Sequence, residues 1–240
     1  MNTPATTRPA RARLGRWPFD DGVVHLVLLD HHMVPTSADV HDWVLRSLDR
    51  GARAIRTGAL FPNATSAFLD AGFRCVDTLT LLAADLTTSA PIVPRAHRGA
   101  GTVRIRRLRP AMLAEAATID RRSFGRPWAN DRDALDEITA ATPQHRSRSI
   151  HLDGRMAAFS ISGRADRSGY VQRLAVDPGA RRRGFARLLL DDAMQWMQRR
   201  NVERVMVNTA TDNHGALRLY RSASFVEQPG ELQILERTLQ

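Results

Sequence analysis

A strand-like run over residues 169–176, the turn Arg181-Arg182-Arg183-Gly184-Phe185-Ala186 and a helix-like run over 187–200 constrain this fold more than anything else in the chain. Tyr170-Val171-Gln172-Arg173-Leu174-Ala175-Val176 has strand chemistry, and Asp177-Pro178 closes it in a turn. Phe185, Leu188, Leu189, Ala193, Trp196 and Met197 then recur at helical spacing. Amides at a helix start lack intrahelical partners and sit at the positive end of the helix dipole, so this order predicts an anion cradle suited to a pyrophosphate. Gly184 and Ala186 matter by what they lack, because a large side chain at either place would hold phosphates off the main chain. The pattern R-x-x-G-x-A alone also arises by accident at solvated helix starts in an arginine-rich chain, and its surroundings decide the reading.

Those surroundings are a second strand over 202–208 and a second helix reading Asn213-His214-Gly215-Ala216-Leu217-Arg218-Leu219-Tyr220, closed by Ser224-Phe225. Upstream, the pattern gives a strand over 102–108, helices over 111–124 and 131–141, and a hairpin of strands 147–152 and 155–162 turned at Asp153-Gly154. A final strand covers 232–238. With these linked motifs in place, residues 102–240 resemble the GNAT superfamily of N-acetyltransferases. The resemblance implies an α/β (α+β) fold: a mixed, mostly antiparallel twisted sheet with a splayed central parallel strand pair, flanked by helices, the acyl-CoA N-acyltransferase fold.

Composition bounds the alternatives. The chain has 240 residues and 43% hydrophobic content, enough for a sizeable core. No stretch approaches the roughly 20 apolar residues of a membrane span, and residues 1–16 lack the apolar core of a signal peptide, so a cytoplasmic location is expected. Cys75 is the only cysteine, which excludes an intrachain disulfide and a thiolate metal cluster; its apolar neighbours predict a buried, inert thiol. The formal charge is +10 and the chain contains no lysine, so arginine carries all its side-chain positive charge apart from histidine. Arginine's planar fork suits phosphate groups, of which CoA carries three. The arginines are spread along the chain without alternating aromatics, which argues against specific nucleic-acid binding and leaves weak, salt-sensitive association. His25, His31, His32 and His41 share a short span, but adjacent histidines in an extended segment point apart, and no metal is expected.

The domain reading is a disordered basic arm over 1–17, a half domain over 18–88, a linker over 89–101 rich in Thr, Pro, Ala and Gly, and the acetyltransferase-like domain over 102–240. In the half domain, strands are expected over 23–29, 52–57 and 78–83. Helices are expected over 39–49, with Val40, Trp43, Val44 and Leu48 inward, and over 63–71. The order Arg53-Ala54-Ile55-Arg56-Thr57, Asn63, Phe68, Gly72-Phe73 parallels Arg204-Val205-Met206-Val207-Asn208-Thr209, Asn213, Tyr220, Ser224-Phe225. This weak internal repeat reads either as chance similarity of two strand-helix-strand units or as a truncated, degenerate acetyltransferase-like copy preceding the main domain. In the latter case it has no glycine cradle and carries Phe68 where the second copy carries Tyr220.

By the resemblance, acetyl-CoA is the acyl donor, and pantetheine pairs with main chain at Leu174, Ala175 and Val176. Arg181, Arg182, Arg183, Gly184, Phe185 and Ala186 receive the pyrophosphate, Asn213 contacts the cofactor, and the Tyr220 hydroxyl protonates the departing thiolate. Asn213 and Tyr220 are nearly two helical turns apart and can face the same gap. In the family branch that acetylates ribosomal-protein amino termini, a glutamate stands five residues before the asparagine. Here Asn208 takes that place, either orienting the acceptor amine or forming a strand-end turn. Asp120 and Glu137 are candidate bases acting through water, against the commoner role of surface carboxylate. Ser224 replaces the family's glycine before Phe225. The activity implied is acetyl transfer to a primary amine of a small molecule or peptide; a non-catalytic acyl-CoA sensor or scaffold is the alternative. The acceptor is set by the hairpin and by the loop bearing Arg126, Trp128 and Asn130, whose code leaves an antibiotic, polyamine, amino acid or peptide amino terminus open, as it leaves oligomeric state.

Overall fold

The structure, a computed structural model, describes residues 9–30, 33–87 and 103–239. The expected linker over 89–101, His31, His32 and the first eight residues of the arm lie outside the described residues. Among the described residues, ten strands and six α-helices follow in chain order: β1 (Ala12–Trp17), β2 (Asp20–Leu28), α1 (Ser37–Leu48), β3 (Ala54–Thr57), α2 (Ser66–Asp70), β4 (Arg74–Asp85), β5 (Ile105–Arg107), α3 (Leu113–Phe124), α4 (Arg132–Ala140), β6 (Gln144–Leu152), β7 (Arg155–Ala165), β8 (Ser168–Val176), α5 (Phe185–Gln198), β9 (Arg204–Ala210), α6 (His214–Arg221) and β10 (Val226–Thr238). The chain divides by contact into two interleaved units, one of residues 1–81, 209–212 and 229–240, the other of 82–208 and 213–228.

In the first unit β1 and β2 form an antiparallel hairpin, and β3 returns through α1 to lie parallel to β2, with Val23↔Ala54 to Leu26↔Thr57 in register. The end of β10 pairs antiparallel to β3 through Glu236↔Arg56. The core holds Leu26, Val40, Trp43, Ile55, Phe68, Phe73 and Leu235, with Phe68 and Phe73 edge to face at 5.2 Å. Three expectations change here. Residues 12–17 are not a disordered arm, because Ala12–Trp17 has an ordered partner strand in β2 and Trp17 is buried. Leu48 is 40% exposed; the inward stripe of α1 continues from Val44 to Ser47, whose hydroxyl donates to Trp43 O and so satisfies itself inside the core. Cys75 is exposed, because burial along β4 is concentrated at Leu82–Ala84 while Arg74, Cys75 and Val76 lie open.

In the second unit β8 is the hub. It pairs antiparallel with β7, which pairs with β6, which pairs with β5; on its other side β8 pairs parallel with β9. This is the mixed sheet with a central parallel pair expected for the acyl-CoA N-acyltransferase fold. The hairpin turn falls at Asp153-Gly154, both with positive φ (48° and 78°), which bring strands of right-handed twist back on themselves. α5 packs Leu189, Leu190, Ala193, Met194 and Met197 inward, and α3 packs Leu113, Ala116 and Ile119. Side chains alternate along β8: Leu174 and Val176 pack with Phe185 and Leu189, whereas Ala175 packs with α3 and Phe159. No helix among the described residues is long and apolar enough to cross a membrane.

Candidate active site

The parallel pair opens where chemistry needs space. β8 and β9 are in register only over Ser168↔Arg204, Gly169↔Val205 and Tyr170↔Met206, yet β8 runs on to Val176 and β9 to Ala210. The parting coincides with a bulge. β7 pairs Ser162 with Val171 and Ile161 with Arg173, leaving Gln172 as the extra residue of β8. An extra residue bends its strand and increases local twist, so the chain turns away from β9 immediately after the last shared pair. Gly169 sets the vertex. A Cβ there would lie 2.6 Å from Met197 Sδ and 3.1 Å from Val202 Cγ1, so only glycine lets α5 and β9 approach so closely.

Beyond Val176 the chain turns through Asp177, whose carboxylate accepts from Gly179 N at 2.9 Å and pairs with Arg122 at 2.8 Å. Arg182 and Gly184 take positive φ (61° and 79°), and α5 starts at Phe185 with no side-chain cap. The first intrahelical bond runs from Leu188 N to Gly184 O, so the amides of Ala186 and Arg187 leave the helix start without a protein partner among the described residues. Arg181, Arg182 and Arg183 are exposed around this mouth, and Arg181 also donates to Ser123 O at 3.1 Å. The Arg187 side chain turns away, donating to Asp191 Oδ1 at 2.7 Å and to Ser222 O at 3.0 Å, which leaves its amide side clear. These features fit a diphosphate-bearing ligand.

Across the gap, Asn208 lies two residues beyond the last shared pair, exposed and inside β9, so it is not a strand-end turn former. Asn213 is the N-cap of α6, its Oδ1 accepting from Ala216 N at 3.2 Å. Tyr220 is 5% exposed and packs against Phe225 with ring centroids 5.7 Å apart. Burial pushes its phenol up to about 12, opposed by the positive charge of Arg173, so the hydroxyl keeps its proton through the neutral range. Ser224 adopts a positive φ of 64°, where its missing glycine would be unstrained, and Phe225 N still reaches Tyr220 O at 3.1 Å to close the helix.

Asp120 is neither a surface carboxylate nor a free base. Its side chain is fully buried and accepts from Arg173 Nε at 2.6 Å, Arg173 Nη2 at 2.7 Å and the Asn130 amide at 2.6 Å. Arg173 Nη2 also donates to Trp128 O at 2.9 Å, and the guanidinium lies 3.7 Å over the Phe124 ring. This network ties α3, the loop before α4 and β8 together beside the bulge. Sequence reasoning missed it, because the partner of Asp120 lies fifty-three residues away on another element and leaves no local signal. Glu137 is exposed on α4.

A family model described as Acetyltransferase (GNAT) family matches residues 113–225. The [ribosomal protein bS18]-alanine N-acetyltransferase of Escherichia coli strain K12 is 27% identical over 115 residues, 48% of this chain and 75% of that protein. N-alpha-acetyltransferase 30 of Saccharomyces cerevisiae is 36% identical over 58 residues, 24% of this chain and 33% of that protein. Among solved structures, a tandem GNAT protein from the clavulanic acid biosynthesis pathway superposes with a TM-score of 0.68 at 14% identity, covering 96% of this chain and 79% of the other. A GCN5-related N-acetyltransferase from Sphaerobacter thermophilus gives 0.63 at 18% identity, covering 95% and 76%. Residues 113–225 are therefore an N-acetyltransferase domain of the GNAT family.

Proposed function

We propose that this protein transfers the acetyl group of acetyl-CoA to a primary amine of a small molecule or peptide, by direct attack within a ternary complex. The observation that carries the reading is the parting of β8 from β9 after Tyr170↔Met206, aligned with an uncapped helix start at Gly184. An acyl-CoA thioester is already activated, so the site has chiefly to align an amine with it and supply a proton to the leaving thiolate. Holding both reactants together removes up to about 7 to 11 kcal/mol of barrier in well-oriented systems. In this reading, pantetheine lies along Leu174, Ala175 and Val176, and Arg181, Arg182, Arg183, Gly184, Phe185 and Ala186 surround the diphosphate. Asn213 faces the cofactor with the amide nitrogen its capping role leaves over, and Asn208 orients the amine. Tyr220, protonated because it is buried, donates its phenolic proton to sulfur. The names of the two relatives favour an amino-terminal peptide amine among the acceptors.

The first unit is read as a degenerate acetyltransferase-like copy. Its β2-α1-β3 crossover is parallel, and Phe68 and Phe73 close their helix as Tyr220 and Phe225 do, with Phe73 N donating to Phe68 O at 3.0 Å. The likeness in fold between the whole chain and a tandem GNAT protein is consistent with the same view. A non-catalytic acyl-CoA sensor is the second reading, favoured by Asn208 in place of a base and by the full engagement of Asp120. One experiment separates them: CoA release from acetyl-CoA against a panel of amines and peptides, for wild type and Tyr220→Phe. Turnover with at least one amine, lowered ten-fold or more in the variant while acetyl-CoA affinity holds, is expected. Calorimetric binding with no turnover on any amine selects the sensor, and no binding refutes both.

A further inference from the structure

A recess of about 330 Å³ opens at the other end of α5, at the sheet edge where β5 stops and β6 continues. Its walls include Arg107, His145, Arg146, Arg148, Arg200 and Trp196. Trp196 stands eleven residues beyond Phe185, about 17 Å along the helix axis from the cradle, so the two sites are separate.

The recess has more cationic charge than the protein neutralises. Asp192 is the shared partner of Arg146, at 2.6 Å, and Arg148, at 3.5 Å. Arg107 pairs in register with Arg148 across β5 and β6, which sets two like charges side by side on one strand ladder. Burial, then Arg146, depresses the Arg148 pKa, Arg107 adds to the effect, and Asp192 opposes it. Arg200 is held over the Trp196 ring at 5.0 Å. The opposing carboxylate on the wall is Asp136.

We propose that this recess is a second oxyanion site, taking the phosphate group of a small phosphorylated metabolite, with Arg107, Arg148 and Arg200 as charge partners. Guanidinium forks donate in pairs to phosphate oxygens, and the volume exceeds that of the phosphate alone, leaving room for the organic part beside Trp196.

The test is calorimetric titration of the full-length protein with inorganic phosphate, against sodium chloride at matched ionic strength. Saturable binding is expected in wild type and in Arg182→Gln/Arg183→Gln, which alters only the cradle mouth. Arg148→Gln and Arg107→Gln should each weaken it ten-fold or more. Arg107 is exposed, so its variant carries the test even where Arg148→Gln lowers the melting midpoint. Absence of saturable phosphate binding in wild type, wild-type affinity in Arg107→Gln, or loss confined to the Arg182/Arg183 variant would overturn the proposal.

Discussion

Replacing Asp120 by asparagine tests how much of the second unit rests on the buried ion pair. In the folded chain the carboxylate has no contact with water and accepts three hydrogen bonds, two from Arg173 and one from the Asn130 amide. Asparagine keeps the size but turns one acceptor into a donor, which then faces either Arg173 Nε–H or the donors at Oδ1. The guanidinium is left with Trp128 O, the Asn130 side-chain oxygen at 3.1 Å and the Phe124 face, in a site 18% exposed. Uncompensating a buried charge in this way costs about 3–5 kcal/mol. With a urea slope near 3 kcal/mol/M, the midpoint should fall by roughly 1 to 1.7 M at constant slope. Replacing both partners, Asp120→Leu with Arg173→Met, should recover much of that loss, because the desolvation cost of both ions goes with them. Urea unfolding followed by near-ultraviolet circular dichroism measures Asp120→Asn, the singles Asp120→Leu and Arg173→Met, and the double variant. A single-variant shift under about 0.3 M, or a double variant whose loss equals the sum of the singles, would refute the claim that these charges depend on each other.

Two further outcomes follow from the site. The chain has two tyrosines, and one of them should release its phenolic proton only near pH 12, a component absent from the phenolate absorbance titration of Tyr220→Phe. Since the folded value lies above the unfolded one of about 10, the stabilisation this group contributes, roughly 3 kcal/mol, is complete below pH 10 and lost as pH rises through 12. A phenol titrating near 10 would remove that dependence. Gly184→Ala places a Cβ at φ 79°, which costs about 1–2 kcal/mol in thermal stability and should weaken CoA binding about ten-fold by calorimetry. Unchanged affinity would separate the cradle from the cofactor.

What could be read without coordinates was whatever depends on residues near one another in sequence. The strand ending at Asp177-Pro178, the Asp153-Gly154 turn and the glycine before α5 each carry their own local chemistry, and each falls where expected. Cys75 was misplaced because apolar neighbours signal burial only if another element covers them, which is not a local property. The same reason hid Asp120. Its partner lies fifty-three residues away, and no pattern on α3 reveals that β8 turns an arginine toward it. The parting of β8 and β9 was available only through family resemblance, since the bulge at Gln172 is defined by register with β7 and leaves no mark in composition.

The two helix starts show how few residues separate a closed terminus from an open one. α1 follows β2 and begins Thr36-Ser37-Ala38-Asp39; the Thr36 hydroxyl accepts from Asp39 N at 3.2 Å, and the Asp39 carboxylate accepts from Thr36 N at 2.9 Å. The amides are used internally, and a carboxylate already sits at the positive end of the dipole, so a second anion would meet both a filled site and like charge. α5 follows β8 and begins Gly184-Phe185-Ala186-Arg187. Glycine cannot cap, arginine cannot accept, and the Arg187 side chain is drawn aside to Asp191. The first design gains local stability of about 0.5–2 kcal/mol from its cap. The second forgoes it and presents main-chain donors to a ligand. That α1 carries a capping box and α5 does not is why the proposed anion site is placed at the start of α5 rather than at α1, on the identity of two positions in each helix.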